Sequence, residues 1–211
     1  MYHRQVNILN TVFFNGKAIT PSKVICVGRN YAEHITELGN ETPDDMVMFI
    51  KPNSAISNTL NSFHQEQLHY EGEICLMYWQ GAFTAVGFGL DLTKRKLQSK
   101  LKEKGLPWER AKAFDQSAVM SKFVELKDIK DSLSLHLSID GQLTQQGSVE
   151  QMMYKPAEIL EIVQQNFTLE DGDIIMTGTP KGVGIIKANS VFKASITQDD
   201  NALLEEHWIA K

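Results

Sequence analysis

Apolar and polar positions alternate in short runs along most of the chain, and only a few stretches carry the spacing of a helix. Residues 9 to 20 predict a hairpin around Asn15-Gly16, and Lys23 to Val27 a buried strand. Met46 to Ile50 is another apolar run, closed by Lys51-Pro52-Asn53, and Leu68 to Tyr78 and Thr84 to Leu92 read as neighbouring strands. The strongest hairpin signal joins Leu133 to Ile139 with Gln142 to Gln145 through Asp140-Gly141. Strands follow at Ile174 to Thr177, Ser190 to Thr197 and Leu203 to Ile209. Helical spacing covers Asn30 to Leu38, where Asn30 and Glu33 match a capping box, and Lys94 to Lys104, stopped by Gly105 and Pro107. A third helix opens at Pro156 and runs to about Asn166, with Ile159, Leu160 and Val163 on one side. Strands outnumber helices, so the expected class is α+β and mostly β.

The period of a strand puts Glu71 and Glu73 on one face, with Leu68, Tyr70, Ile74 and Leu76 on the other. Past Glu73 the acidic face itself turns apolar at Cys75, Met77 and Trp79. Such a strand is expected to be buried on both faces, where two adjacent carboxylates need a counter-charge. Asp91 ends the next strand, after Gly87 and Gly89, which leave room for close approach of backbone or ligand. Three carboxylates without His or Cys nearby favour a hard ion, Mg²⁺ or Mn²⁺. The same spacing also describes a Glu-x-Glu on the wet face of an amphipathic strand.

His34 and Glu37 lie three apart on one helical face, as a general base and its orienting carboxylate would, or as an ordinary surface pair would. Arg95, about one turn beyond Asp91, and Gln98 share a helix face, and an arginine there suits a substrate carboxylate. Lys112 is a lone lysine in the apolar setting Ala111-Lys112-Ala113-Phe114, the pattern of a surface lysine when taken alone. The loop from Gly178 to Gly184 fails as a phosphate cradle, because no Gly-Lys-Ser/Thr closes it and no helix follows.

With 211 residues, 42% of them hydrophobic, the chain suits one globular domain with a sizeable core. A net charge of -5 without a Lys/Arg-rich block argues against a nucleic-acid partner, and the basic stretch Lys94 to Lys104 reads as the solvated face of its helix. No apolar run approaches the ~18 residues that span a bilayer, so no membrane association is expected. Met1 to Asn7 lacks the apolar core of a signal peptide. Cys26 and Cys75 each sit in an apolar run and are expected to be reduced core thiols of a cytoplasmic protein.

An ordered set of motifs carries a resemblance: Val27 to His34, Phe49-Ile50-Lys51-Pro52, Tyr70-Glu71-Gly72-Glu73, Asp91-Leu92-Thr93, Gly105-Leu106-Pro107-Trp108, Ala111-Lys112 and Gly172 to Gly184. Over roughly residues 20 to 209 the chain resembles the fumarylacetoacetate hydrolase family, and within it the short acylpyruvate hydrolase branch. The resemblance implies rolled mixed β-sheets with short helices, a catalytic domain over 21–211 with 1–20 as an extension packed on it, and a homodimer. It implies metal ligation by Glu71, Glu73 and Asp91, a water-activating dyad of His34 and Glu37, and charge stabilisation by Lys112. Arg29, Arg95, Gln98 and Thr179 look like its substrate-contacting groups. One position departs: Lys96 stands where the family commonly carries an acid after the arginine, which is mildly unfavourable in a helix's first turn and bears on pocket charge or on substrate preference. The expected reaction is hydrolysis of a carbon–carbon bond in a 2,4-dioxo acid of the acylpyruvate or fumarylpyruvate type, giving an acid and pyruvate. Oxaloacetate decarboxylation, oxaloacetate keto–enol tautomerisation and dienoate isomerisation or hydration are the enzymatic alternatives. A silent metal-binding scaffold is the non-enzymatic one, disfavoured by the retained His34, Glu37 and Lys112.

Overall fold

The computed structural model describes residues 9–37 and 44–211; the first eight positions of the expected extension and Leu38, the expected helix end, lie outside the described residues. The chain opens with the hairpin of β1 (Val12–Phe14) and β2 (Lys17–Ile19), then β3 (Lys23–Gly28), α1 (Ala32–Glu37), β4 (Val47–Pro52) and β5 (Ile56–Ser57). Short strands β6 (Phe63–His64), β7 (Glu66–Gln67) and β8 (His69–Tyr70) lead to the long pair β9 (Gly72–Trp79) and β10 (Ala82–Asp91). Helices α2 (Arg95–Glu103) and α3 (Glu109–Lys112) precede β11 (Ala118–Met120) and β12 (Val124–Glu125). The hairpin β13 (Ser134–Ile139) and β14 (Gln142–Ser148), helix α4 (Pro156–Asn166), β15 (Ile174–Met176), β16 (Gly184–Ile185), β17 (Val191–Gln198) and β18 (Asn201–Ile209) complete it.

Eight strands form one curled mixed sheet in the order β4-β3-β15-β9-β10-β11-β5, with β12 also on β10. A second sheet, β14-β13-β17-β18, packs across it. Alternation explains the layering. Ile74 and Leu76 of β9 face Leu135, Leu137, Phe192, Ile196 and Trp208 between the sheets, while Cys75 and Met77 enter a second core with Val24, Cys26 and Met176. Strand β9 is therefore buried on both faces, as its mixed pattern predicts. Helix α4 covers the outer side with Ile159 and Val163 on Ile25, Val27 and Ile175. Both cysteines are buried and free, and among the described residues no helix is long and apolar enough to cross a membrane.

Three local expectations change. The strand expected from Leu68 to Tyr78 is interrupted at Glu71: β8 pairs with β16, whereas β9 pairs with β10 and β15. Side chains intrude there, because the Gly72 N–H donates to Gln145 Oε1 at 2.9 Å and the Thr179 hydroxyl donates to the Gly72 carbonyl at 2.9 Å. Asn30 does not cap α1. Its amide donates to the Tyr154 and Thr177 carbonyls at 3.0 and 2.8 Å and accepts from the Tyr154 N–H at 2.7 Å, which pins the end of β3 to two distant segments. The space beside Gly87 and Gly89 admits neither ligand nor backbone: a Cβ on Gly89 would lie 2.5 Å from Cys75 Sγ, and one on Gly87 3.1 Å from the Phe123 ring.

Candidate active site

Glu71, Glu73 and Asp91 converge where β9 begins and β10 ends. The Asp91 N–H donates to the Glu71 carbonyl at 2.8 Å, and Glu73 pairs in register with Gly89. One carboxylate oxygen from each lies within 4.8 Å of the others, and all three residues are buried. Among the described residues this is the one group of three or more such ligands. The wet-face alternative for Glu71 and Glu73 is thereby removed.

Around the trio, positive charge is placed unevenly. Lys112, at the end of the four-residue α3, donates through Nζ to Glu71 Oε2 at 2.8 Å, Asp91 Oδ2 at 2.7 Å and Thr93 Oγ at 2.6 Å. It is buried rather than the surface lysine of the isolated pattern. Burial pulls its pKa down, yet Asp91 and Glu71 outweigh that and hold it above the usual lysine value. Arg95 pairs with the other Glu71 oxygen and donates to Gln98 Oε1 at 2.8 Å. Burial raises the Glu71 pKa, but Lys112 and Arg95 overcome it and hold the carboxyl far below its ordinary range. Fully buried Lys51 lies 2.8 Å from Asp91 Oδ1 without hydrogen-bond alignment, so that oxygen receives no hydrogen bond. Glu73 receives only the Gly178 N–H, at 2.7 Å, and no described cation pairs with it. Burial first, then the Asp91 and Glu71 charges, push its pKa well above the carboxylate range. Three cations face three carboxylates, but Glu73 has none of its own and one Asp91 oxygen has no donor, and this all-oxygen set fits a hard divalent cation, which Glu71, Glu73 and Asp91 would hold.

His34 is 6% exposed and lines the same narrow cleft, of about 50 Å³, together with Arg29, Phe49, Arg95, Gln98, Lys102, Trp108, Lys112, Thr179 and the three carboxylates. Its Nδ1 stands 3.2 Å from Glu37 Oε2, and the Gly182 N–H donates to both Glu37 oxygens at 3.0 and 3.2 Å. The loop rejected as a phosphate cradle thus binds two carboxylates of the chain itself, Glu73 through Gly178 and Glu37 through Gly182. Arg29 takes the left-handed conformation at φ 57°, which an L-residue adopts at a cost, with the neighbouring Asn30 tethers holding it there. Lys96 is exposed and is not among the residues that line the cleft. Its backbone N–H is met by Glu66 Oε1 at 3.0 Å, which brings an acid to that helix end from another strand.

Sequence reasoning missed four participants. Lys51 and Gln145 are buried polar residues whose partners lie 34 to 73 positions away. Trp108 lines the cleft, and Lys102, read as part of a solvated face, lines it too. The spacing Arg95, Gln98, Lys102 is i, i+3, i+7 on one helix face, and that signal was present.

The profile of the fumarylacetoacetate hydrolase C-terminal domain matches residues 23–205. This chain belongs to the fumarylacetoacetate hydrolase family. Among its relatives, the Escherichia coli oxaloacetate tautomerase YcgM is 35% identical over 86% of this chain and 90% of its own. The mitochondrial oxaloacetate tautomerase FAHD1 of Bos taurus is 37% identical over 82% and 86%. The crystal structure of fumarylpyruvate hydrolase from Pseudomonas aeruginosa in complex with Mn²⁺ and pyruvate superposes with a TM-score of 0.88 at 27% identity, covering 99% of both chains. The family expectation and the mostly β rolled fold are borne out. The acylpyruvate hydrolase branch is supported only in part, since the curated relatives named here carry the tautomerase name.

Proposed function

We propose that this family member is a divalent-cation-dependent oxaloacetate tautomerase, interconverting the keto and enol forms. The observation that carries the reading is that His34, paired with Glu37, faces the same cleft as Lys112 and the three carboxylates. The tautomerase names of the relatives support the choice of substrate over the acylpyruvates expected from the motifs. A cation held by Glu71, Glu73 and Asp91 would supply Lewis-acid polarisation of the 2-oxo group. His34 takes the proton from C3, and Glu37 fixes the imidazole and stabilises the imidazolium. Charge develops on the C2 oxygen, where the Lys112 ammonium, whose three N–H groups are held by Glu71, Asp91 and Thr93, supplies a fixed positive charge. Return of the proton from His34 to that oxygen completes the enol, so nothing is consumed. A homodimer belongs to the same proposal, and light scattering at twice the chain mass would support it.

A second reading keeps the dyad but lets His34 activate water, which attacks the distal carbonyl of an acylpyruvate; the Pseudomonas fumarylpyruvate hydrolase favours it. One assay separates the two. Loss of the enol absorbance of oxaloacetate, with no acid, pyruvate or carbon dioxide formed, is the expected result, and it should vanish with chelator. His34→Ala should lower turnover by about 10²- to 10⁴-fold, the usual contribution of a general base, with metal affinity retained. Unchanged turnover would remove the dyad from the reaction.

A further inference from the structure

The two oxygens of Asp91 are treated differently, and a buried lysine outside the cleft lining sets the difference. Oδ2 accepts a hydrogen bond from Lys112 Nζ at 2.7 Å. Oδ1 lies 2.8 Å from Lys51 Nζ, yet among the described residues no donor is aligned on it. The reason is where the Lys51 protons go. An ammonium carries three N–H groups, and three oxygens accept from this one: the Lys112 carbonyl, the Ser117 carbonyl at 3.0 Å and the Ser117 hydroxyl at 3.0 Å. Ser117 Oγ in turn donates to the Lys112 carbonyl at 2.8 Å, which closes the end of the short helix α3. Lys51 and Ser117 are both fully buried, so the arrangement is held by the chain itself. A buried ammonium needs a counter-charge, and Asp91 provides it. Lys51 thus brings charge to Asp91 without placing a proton on Oδ1.

We propose that Lys51 is the positioning residue of the cation site: it steadies Asp91 by charge alone and so reserves Oδ1 as the oxygen that takes the metal, while Lys112 keeps Oδ2. The assignment rests on the reading of Glu71, Glu73 and Asp91 as metal ligands, and it makes Asp91 a ligand through one oxygen. A charge-assisted hydrogen bond on Oδ1 draws on the same lone-pair density that a hard cation needs and turns the carboxylate toward its donor. Ser117 prevents that bond. By accepting twice from Lys51, through its carbonyl and its hydroxyl, it keeps the ammonium protons directed away from Asp91.

The test uses the full chain and has two arms. A crystal structure of wild type loaded with Mn²⁺ should show the ion on Asp91 Oδ1, with Lys51 Nζ still on the Lys112 and Ser117 oxygens. An ion on Oδ2, or Lys51 turned to donate to Oδ1, would overturn the assignment and leave the cation site standing. No ion among the three carboxylates would sink both. Ser117→Ala supplies the second arm, because it changes where the ammonium points without removing it. The freed N–H then turns to Asp91 Oδ1, already 2.8 Å away. The Mn²⁺ dissociation constant should rise about 10-fold, the worth of one hydrogen bond to a charged group. It is read from the electron paramagnetic resonance signal of free Mn²⁺, at a temperature where the metal-free variant is fully folded. A role for Lys51 in packing alone would leave that constant unchanged, and such a result would overturn the proposal. Should Ser117→Ala fail to fold, the position of the ion in wild type decides.

Discussion

Asp173 shows how much one carboxylate outside the cleft organises. Its side chain is fully buried and accepts from the Ser22 N–H at 2.9 Å, the Ser22 hydroxyl at 2.8 Å, the Lys23 N–H at 3.1 Å and the Glu170 N–H at 3.0 Å, and it pairs with the Lys23 ammonium. Burial alone would raise its pKa, but the Glu170, Lys23 and Ser22 donors prevail and hold it below the usual aspartate value. A depressed acid contributes stability that is present above its unfolded pKa and is lost as pH falls through the folded one. Asp173→Asn should therefore cost about 1.5–3 kcal/mol at neutral pH, and the gap to wild type should close below about pH 4. Urea titrations at pH 7 and in the acid range check this; a gap independent of pH would mean that the charge contributes nothing.

At the scale of elements, the site depends on a joint between β9, β14 and the loop after β15. Gln145, 1% exposed, accepts from the Gly72 N–H and donates to Thr179 Oγ and the Pro180 carbonyl, both at 2.9 Å. Gly72 allows this approach, since a Cβ there would stand 2.9 Å from Gln145 Oε1. Gln145→Ala leaves the Gly72 N–H, midway between two candidate ligands, without that acceptor. It should cost about 1–3 kcal/mol and lower kcat of the tautomerase reaction. Full stability by denaturant titration would show that the joint is not held by these bonds. The participating elements were legible in the sequence: the Asp140-Gly141 hairpin, with both residues at positive φ, and the extended run through Glu73, although its break at Glu71 was not. The joint was not. A glutamine at an inward strand position announces a partner but not which one, and here the partners lie 34, 35 and 73 residues away. The same limit hid the swap at α2, where Glu66 supplies the acid that Lys96 does not.

Over the whole molecule, the curled sheet brings Glu71, Glu73 and Asp91 together with cations contributed by β4, α2 and α3, an assembly that local patterning cannot specify and that the ordered motifs indicated only by resemblance. Its energetics give the sharpest test of an ion. At neutral pH a buried carboxylate whose folded pKa is raised destabilises the fold, because charging it inside is harder than in the unfolded chain; the penalty begins as pH rises above the unfolded glutamate pKa. In metal-free protein Glu73→Gln should thus raise the thermal midpoint or leave it unchanged, since the neutral amide relieves repulsion from Asp91 and Glu71. In wild type, Mn²⁺ or Mg²⁺ at about 100 times its dissociation constant should add about 2.7 kcal/mol, or about 5–10 °C for a chain of this length. Glu73→Gln should lose most of that increment, and chelator should abolish it in wild type. A variant destabilised without metal and still shifted fully by it would mean that Glu73 is a structural carboxylate and the ion, if one binds, sits elsewhere.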